Sequence, residues 1–115
     1  LRQMKPTETT RVIIDSATAP WKSGDPGTPA RLALHLAPDT GESVTLERML
    51  PGTHLVETDQ PGGEEIFVLS GELSDRHGCY GAGTWIRNPA GCRTGFGSAD
   101  GATYWAKRGH LRPMS

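Results

Sequence analysis

Glycine and proline together set the strongest limit on what this chain can fold into. Of the 115 residues, 15 are glycine and 9 are proline, and they are spread along the whole sequence. Both residue types are unfavourable inside helices, so this spacing leaves little room for a helix of about ten residues. No window repeats apolar residues at the i, i+3, i+4, i+7 positions of an amphipathic helix. The sequence therefore predicts an all-β fold.

Short apolar and β-branched runs lie between the turn residues and predict the strands. These runs are 11–14, 31–36, 43–50, 66–69, 84–87 and 102–107. Simple alternation places Leu32, Leu34 and Leu36 on one face of the second run. The unbroken apolar run 66–69 is typical of a strand covered on both faces. Many short strands joined by glycine-rich turns indicate a sandwich or a barrel.

Length and charge narrow the classes of protein further. The chain is predicted to form one domain, 1–115, with its core at about 11–107. Its net charge is -1, which argues against nucleic acid as a partner, because nucleic-acid binding needs a basic face. A basic cluster near the end holds Lys107, Arg108, His110 and Arg112, and we expect it to be solvated.

The sequence also carries predictions about location. No apolar run approaches the length of a membrane span, and the polar first ten residues lack the apolar core of a signal peptide. There are two cysteines, Cys79 and Cys92, and a domain of this size does not need a disulfide bond between them to be stable. We therefore expect free thiols, a cytoplasmic protein and no membrane contact.

Two spaced motifs lie between residues 51 and 98. Gly52, Glu64 and Gly71 fit the first cupin motif, and Gly83 with Pro89-Ala90-Gly91 fits the second, without a gap. The amino-acid sequence is similar to that of the cupin domain of ChrR-type anti-sigma factors in the segments 61–66, 68–71, 74–75, 77–78, 80, 83–85 and 87–89. The resemblance implies an RmlC-like cupin, that is, a double-stranded β-helix or jelly-roll barrel in a single domain.

The same resemblance implies a metal site of three histidines and one glutamate. In this sequence the four positions hold Thr58, Gln60, Glu64 and Thr94, so only the glutamate is retained. Hydroxyl and amide oxygens are weak neutral ligands for zinc or iron, which favour imidazole, carboxylate and thiolate. We therefore predict a small polar pocket with no metal cofactor, in which the other three side chains donate hydrogen bonds to Glu64.

A rebuilt metal site is the alternative to this pocket. Strand alternation allows His54 to share a face with position 58, and Cys92 to share a face with position 94. Together with Glu64 they would form a site for a divalent metal such as zinc or iron. The competing interpretation is that His54 lies at the rim and that Cys92 is a small packed residue.

The function predicted from these residues is a metal-free cupin module for binding or regulation. The alternatives are a metal-dependent, dioxygenase-like cupin enzyme and a zinc-binding ChrR-like regulator that uses the rebuilt site. No catalytic residue is assigned. A small-molecule ligand and a homodimer are the expected partners. Histidine at positions 58, 60 and 94 is expected to restore metal binding with Glu64.

Overall fold

A computed structural model describes residues 10–111, and these residues form ten strands and no helix. The strands are β1 Ala30–Ala37, β2 Glu42–Met49, β3 Thr53–His54, β4 Thr58–Gln60, β5 Glu64–Asp75, β6 Gly78–Gly81, β7 Trp85–Asn88, β8 Cys92–Thr94, β9 Gly97–Ser98 and β10 Ala102–Arg108. The all-β prediction is confirmed. No helix in the described range is long and apolar enough to cross a membrane.

Antiparallel pairing organises the strands into one large curled sheet and one small one. The large sheet has eight strands along the path β1-β2-β10-β5-β9-β3, with β6 and β7 also paired to β5. The small sheet consists of β4 and β8. Strand β10 lies between β2 and β5, so the last strand in the sequence has a hydrogen-bonded neighbour on both sides.

The core lies on the inner face of this sheet. Its buried members are Met49, Ile66, Val68, Leu73, Phe96, Ala102, Tyr104 and Ala106. Strand β10 contributes every second residue, as the two-residue period of a strand requires. On β2, Thr45, Glu47 and Met49 share the buried face, which agrees with the alternation of the sequence.

Gly71 marks a point where the backbones of β5 and β10 approach closely. Its φ is +75°, in the left-handed region that favours glycine. A Cβ atom at this position would lie 2.1 Å from the carbonyl oxygen of Gly101. The glycine that closes the first motif is therefore required by backbone conformation and by space.

The strand predicted at 11–14 is wrong. Among the described residues this segment has no ladder partner, and Val12 and Ile13 are exposed. The β-branched composition favours an extended chain, but a strand also needs a neighbour for its backbone hydrogen bonds.

The predicted common face of Leu32, Leu34 and Leu36 is also wrong. The register of β1 and β2 passes from Ala33 opposite Thr45 to His35 opposite Val44, so a β-bulge interrupts the pairing. A bulge adds one residue and reverses the alternation beyond it. Leu32 is consequently buried, whereas Leu36 is exposed.

The run 66–69 is covered on one face only. Ile66 and Val68 are fully buried, but Phe67 and Leu69 are 38% and 48% exposed on the outer face. The prediction of a strand covered on both faces is therefore wrong, because no described segment covers this part of the outer sheet. Trp85, directly opposite Phe67, is 50% exposed as well.

Candidate functional site

Strands β4, β5 and β8 bring the four predicted pocket residues to one cavity. Thr58 lies opposite Thr94 in the β4–β8 pair, and Glu64 is the first residue of β5. Thr58, Gln60, Glu64 and Thr94 all line a cavity of about 400 Å³, which we call the polar cavity. The turn 60–63 joins β4 to β5, and the amide of Gly63 donates to the carbonyl of Gln60.

Glu64 is buried, and both of its carboxylate oxygens accept hydrogen bonds. Asn88 Nδ2 and Thr94 Oγ1 donate to Oε2 at 2.9 and 2.8 Å. Arg108 Nε donates to Oε1 at 3.1 Å. Of the three donors predicted for Glu64, only Thr94 is one, and Asn88 and Arg108 provide the remaining bonds.

Arg108 joins Glu64 to a second buried carboxylate. Its Nη1 and Nη2 donate to the two oxygens of Glu47, so the guanidinium bridges Glu47 and Glu64. Both glutamates are 1% exposed.

The prediction that the basic cluster is solvated is therefore wrong for Arg108, which points inward from β10. His110 is also held, because its Nε2 lies 2.9 Å from Glu65 Oε1, while Arg112 lies outside the described residues.

The protonation states of this network follow from its contacts. Burial alone would raise the pKa of Glu47, but hydrogen bonds and attraction from Arg108, with help from Arg31 and Thr45, lower it below its ordinary value. Burial opposes the charge of Arg108, yet Glu47 and Glu64 raise the pKa of its guanidinium. Burial, and then the neighbouring Glu47, raise the pKa of Tyr104. The network therefore combines an ionised Glu47 and a charged Arg108 with a neutral Tyr104.

Arg31 completes the charge balance at the mouth of the cavity. Its Nε lies 3.4 Å from Glu47 Oε2, and its side chain is 55% exposed. Thr45 Oγ1 donates to the same oxygen at 2.9 Å. Two carboxylates and two guanidiniums thus face one another along one wall.

The sequence contained a signal for Arg108 that motif spacing does not use. In β10 the inward positions are 102, 104 and 106, and the same period continues to 108. A cluster of four basic residues at a chain end is typical of a solvated tail. That composition therefore favoured an exposed Arg108, although the alternation of inward positions along β10 indicates a buried one. The partner Glu47 lies on β2, a strand outside both motifs.

His54 and Cys92 do not form the rebuilt site. His54 is paired with Gly97 in β3–β9 and is exposed, and Cys92 lies opposite Gln60. Neither lines the polar cavity. Within residues 10–111, no group of three His, Cys, Asp or Glu side chains is arranged to hold a metal ion.

The residues of the cavity do not fit the metal that the family resemblance implies. The only carboxylate among the four positions has each oxygen already bonded, one of them to a guanidinium. The three other positions carry neutral oxygens or an amide, which are weak ligands for zinc or iron. A metal ion beside Glu64 would also face the positive charge of Arg108.

Apolar side chains also line the polar cavity. Leu36, Leu55, Val56 and Phe96 are among its lining residues. The cavity thus combines paired charges with apolar side chains, and Thr58 and Gln60 add neutral polar groups.

The antiparallel jelly-roll with a polar cavity around the motif glutamate defines the class as a cupin. The family model for the ChrR cupin-like domain matches residues 9–112, so the chain belongs to this family. No curated protein matches the chain. The family prediction and the fold prediction are both confirmed.

Several solved structures share this fold at low sequence identity. An acetylacetone dioxygenase from Acinetobacter johnsonii is 14% identical, with a TM-score of 0.75 over 94% of this chain and 78% of that chain. An RmlC-like cupin from Ralstonia eutropha is 16% identical, with a TM-score of 0.78 over 93% and 73% of the two chains. These likenesses establish the fold and leave the activity open.

A third structure is the complex of Rhodobacter sphaeroides SigE with the anti-sigma factor ChrR. It is 16% identical, with a TM-score of 0.70, and the match covers 82% of this chain and 51% of that chain. This chain therefore spans about half the length of the matched one.

Proposed function

We propose that this chain is a binding or regulatory module that holds a small, uncharged polar molecule in the polar cavity and uses no metal ion. The observation that carries the proposal is the charge balance of the cavity wall. Arg31 and Arg108 are paired with Glu47 and Glu64 by contacts of the described side chains. A charged ligand would have to compete with these pairs, whereas an uncharged ligand leaves them intact.

Thr58 and Gln60 supply the hydrogen bonds that such a ligand needs. Both line the cavity, and neither side chain bonds to another group within residues 10–111. A hydroxyl and an amide offer donors and acceptors together. They suit an amide, hydroxyl or carbonyl group on the ligand.

The apolar lining residues suit an apolar part of the ligand. Leu55, Val56 and Phe96 contribute hydrophobic surface to the cavity. The cavity volume of about 400 Å³ falls within the ~300–1,000 Å³ range of small-molecule sites. A compact molecule with one polar and one apolar part matches this lining.

Three isosteric probes test the charge preference: acetamide, acetate and acetamidinium. We expect acetamide to shift the backbone amide NMR signals around positions 58, 60 and 94 at lower concentration than either charged probe. The changes T58V and Q60A should weaken this response several-fold. Tighter binding of acetate or acetamidinium, or no response to acetamide at these positions, would overturn the proposal.

Asp59 provides the matched control in the same strand. Its carboxylate lies 3.7 Å from Arg93 and does not line the cavity. The variant D59N should therefore bind acetamide as the wild-type chain does. A loss equal to that of Q60A would mean that β4 responds as a whole and that Gln60 is not a contact.

A second copy of this chain is the proposed protein partner. Phe67, Leu69 and Trp85 leave an apolar area on the outer face, where such patches mark protein contacts. Glu65 and Arg87 beside it are paired with each other within the chain, so a second copy related by a two-fold axis can cover the apolar area without leaving either charge unpaired. ChrR is solved in a complex with SigE, which supports a regulatory role through protein contact.

A cytoplasmic location is part of the same proposal. Cys79 and Cys92 are free and form no disulfide, and Cys79 is exposed. Unbridged exposed thiols suit a reducing compartment.

A further inference from the structure

We propose that the guanidinium of Arg108 takes the place of the metal cation in this cupin barrel. The proposal is independent of any ligand in the polar cavity. It rests on the disagreement between the metal site that the family resemblance implies and the contacts that Glu64 makes.

Glu64 is a buried carboxylate with a cation beside it. A carboxylate that is 1% exposed needs a positive partner or several hydrogen bonds to remain ionised. In a metal cupin the cation provides that partner. Here Arg108 Nε lies 3.1 Å from Oε1, and Asn88 and Thr94 bond to Oε2.

Arg108 is positioned beside Glu64 by the pairing of two strands. The residue ends β10, which is paired directly with β5, and Arg108 lies opposite Glu64 in the register. Backbone pairing of β10 with β5 therefore places the guanidinium beside Glu64. Its hydrogen bonds to Glu47, on the neighbouring strand β2, hold it there. The planar fork of Arg108 bonds to Glu47 through two nitrogens and to Glu64 through the third, a bidentate geometry that lysine does not offer.

The charge of Arg108 opposes metal binding at Glu64. Histidine at positions 58, 60 and 94 would supply nitrogen ligands around Glu64, but Arg108 would still hold that carboxylate and repel a divalent cation. Removing the positive charge of Arg108 should be required in addition to the three histidines.

The test compares three variants that all carry T58H, Q60H and T94H. The first keeps Arg108, the second adds R108Q, and the third adds R108K as the control that preserves charge. Cobalt(II) is the probe, and its visible absorption reports coordination. We expect the R108Q combination to bind Co²⁺ at least tenfold more tightly than the other two.

Equal affinity of the first and second variants would overturn the proposal, because Arg108 would then not compete with the metal. A folded R108Q combination that binds no Co²⁺ would overturn it as well. If that combination does not fold alone, adding E47Q removes the other buried carboxylate that has lost Arg108 as a partner. Zn²⁺ should then raise its melting temperature, and no rise in the folded protein would again count against the proposal.

Discussion

Arg108 is the residue whose removal should cost the most stability in the charged network. The variant R108M leaves Glu47 and Glu64 buried without their shared cation, and breaking a buried pair costs about 3–5 kcal/mol. Arg87 is the matched control, since it is 54% exposed and bonds to Glu65 on the outer face. R87M should change the free energy of unfolding by less than about 1 kcal/mol. Urea unfolding measures both, and equal losses would contradict the assignment.

Glu47 makes stability depend on acid pH in a predictable direction. Its pKa in the folded state is below the ordinary value of 4.5, because Arg108 and Arg31 outweigh the opposing effect of burial. The unfolded chain therefore takes up the proton first as the pH falls. The stabilisation is complete above pH 4.5 and is lost as the pH falls through the lowered pKa.

Unfolding curves at neutral and acid pH check this dependence. The variant E47Q should be less stable at neutral pH and should lose less stability on acidification than the wild-type chain. Some dependence should persist, because the hydrogen bond from His110 lowers the pKa of Glu65 in the same direction. An unchanged pH profile in E47Q would show that Glu47 does not contribute.

At the scale of strands, two glycines with positive φ, Gly71 within β5 and Gly83 in the turn before β7, are predicted to differ in how well they tolerate a side chain. Gly71 and Gly83 both have positive φ, but a Cβ at Gly71 would lie 2.1 Å from a backbone oxygen, whereas nothing lies within 4 Å at Gly83. G83A should cost only the backbone strain, about 1–2 kcal/mol. G71A should cost clearly more or prevent folding. Thermal unfolding of the two variants distinguishes them, and equal melting temperatures would contradict the close approach of β5 and β10.

Strand-level features could be predicted from the sequence where local chemistry determines them. Glycine and proline positions indicated the turns, and motif spacing grouped Thr58, Gln60, Glu64 and Thr94, which line one cavity in the structure. The bulge in β1 could not be predicted, because it depends on the register with β2. Arg108 was missed for a related reason. Its partners lie on β2 and β5, and only the strand order makes β10 their common neighbour.

At the scale of the whole molecule, the outer apolar face predicts a dimer. Light scattering should give twice the chain mass for the wild-type protein, and W85S should reduce it to the mass of one chain. L50S is the control, since Leu50 is 69% exposed but lies in the turn after β2. A wild-type monomer, or dissociation caused equally by L50S, would count against this face as the interface.

The barrel contains an internal ion-pair network around Glu64, the motif position at which the family resemblance implies a metal. Arg108 balances Glu47 and Glu64, and the neutral groups of Thr58 and Gln60 remain open to the cavity. Elemental analysis of protein purified without a chelator tests this account. We predict far less than one zinc, iron, manganese or nickel ion per chain. One such ion per chain, lost in the variant E64Q, would contradict it.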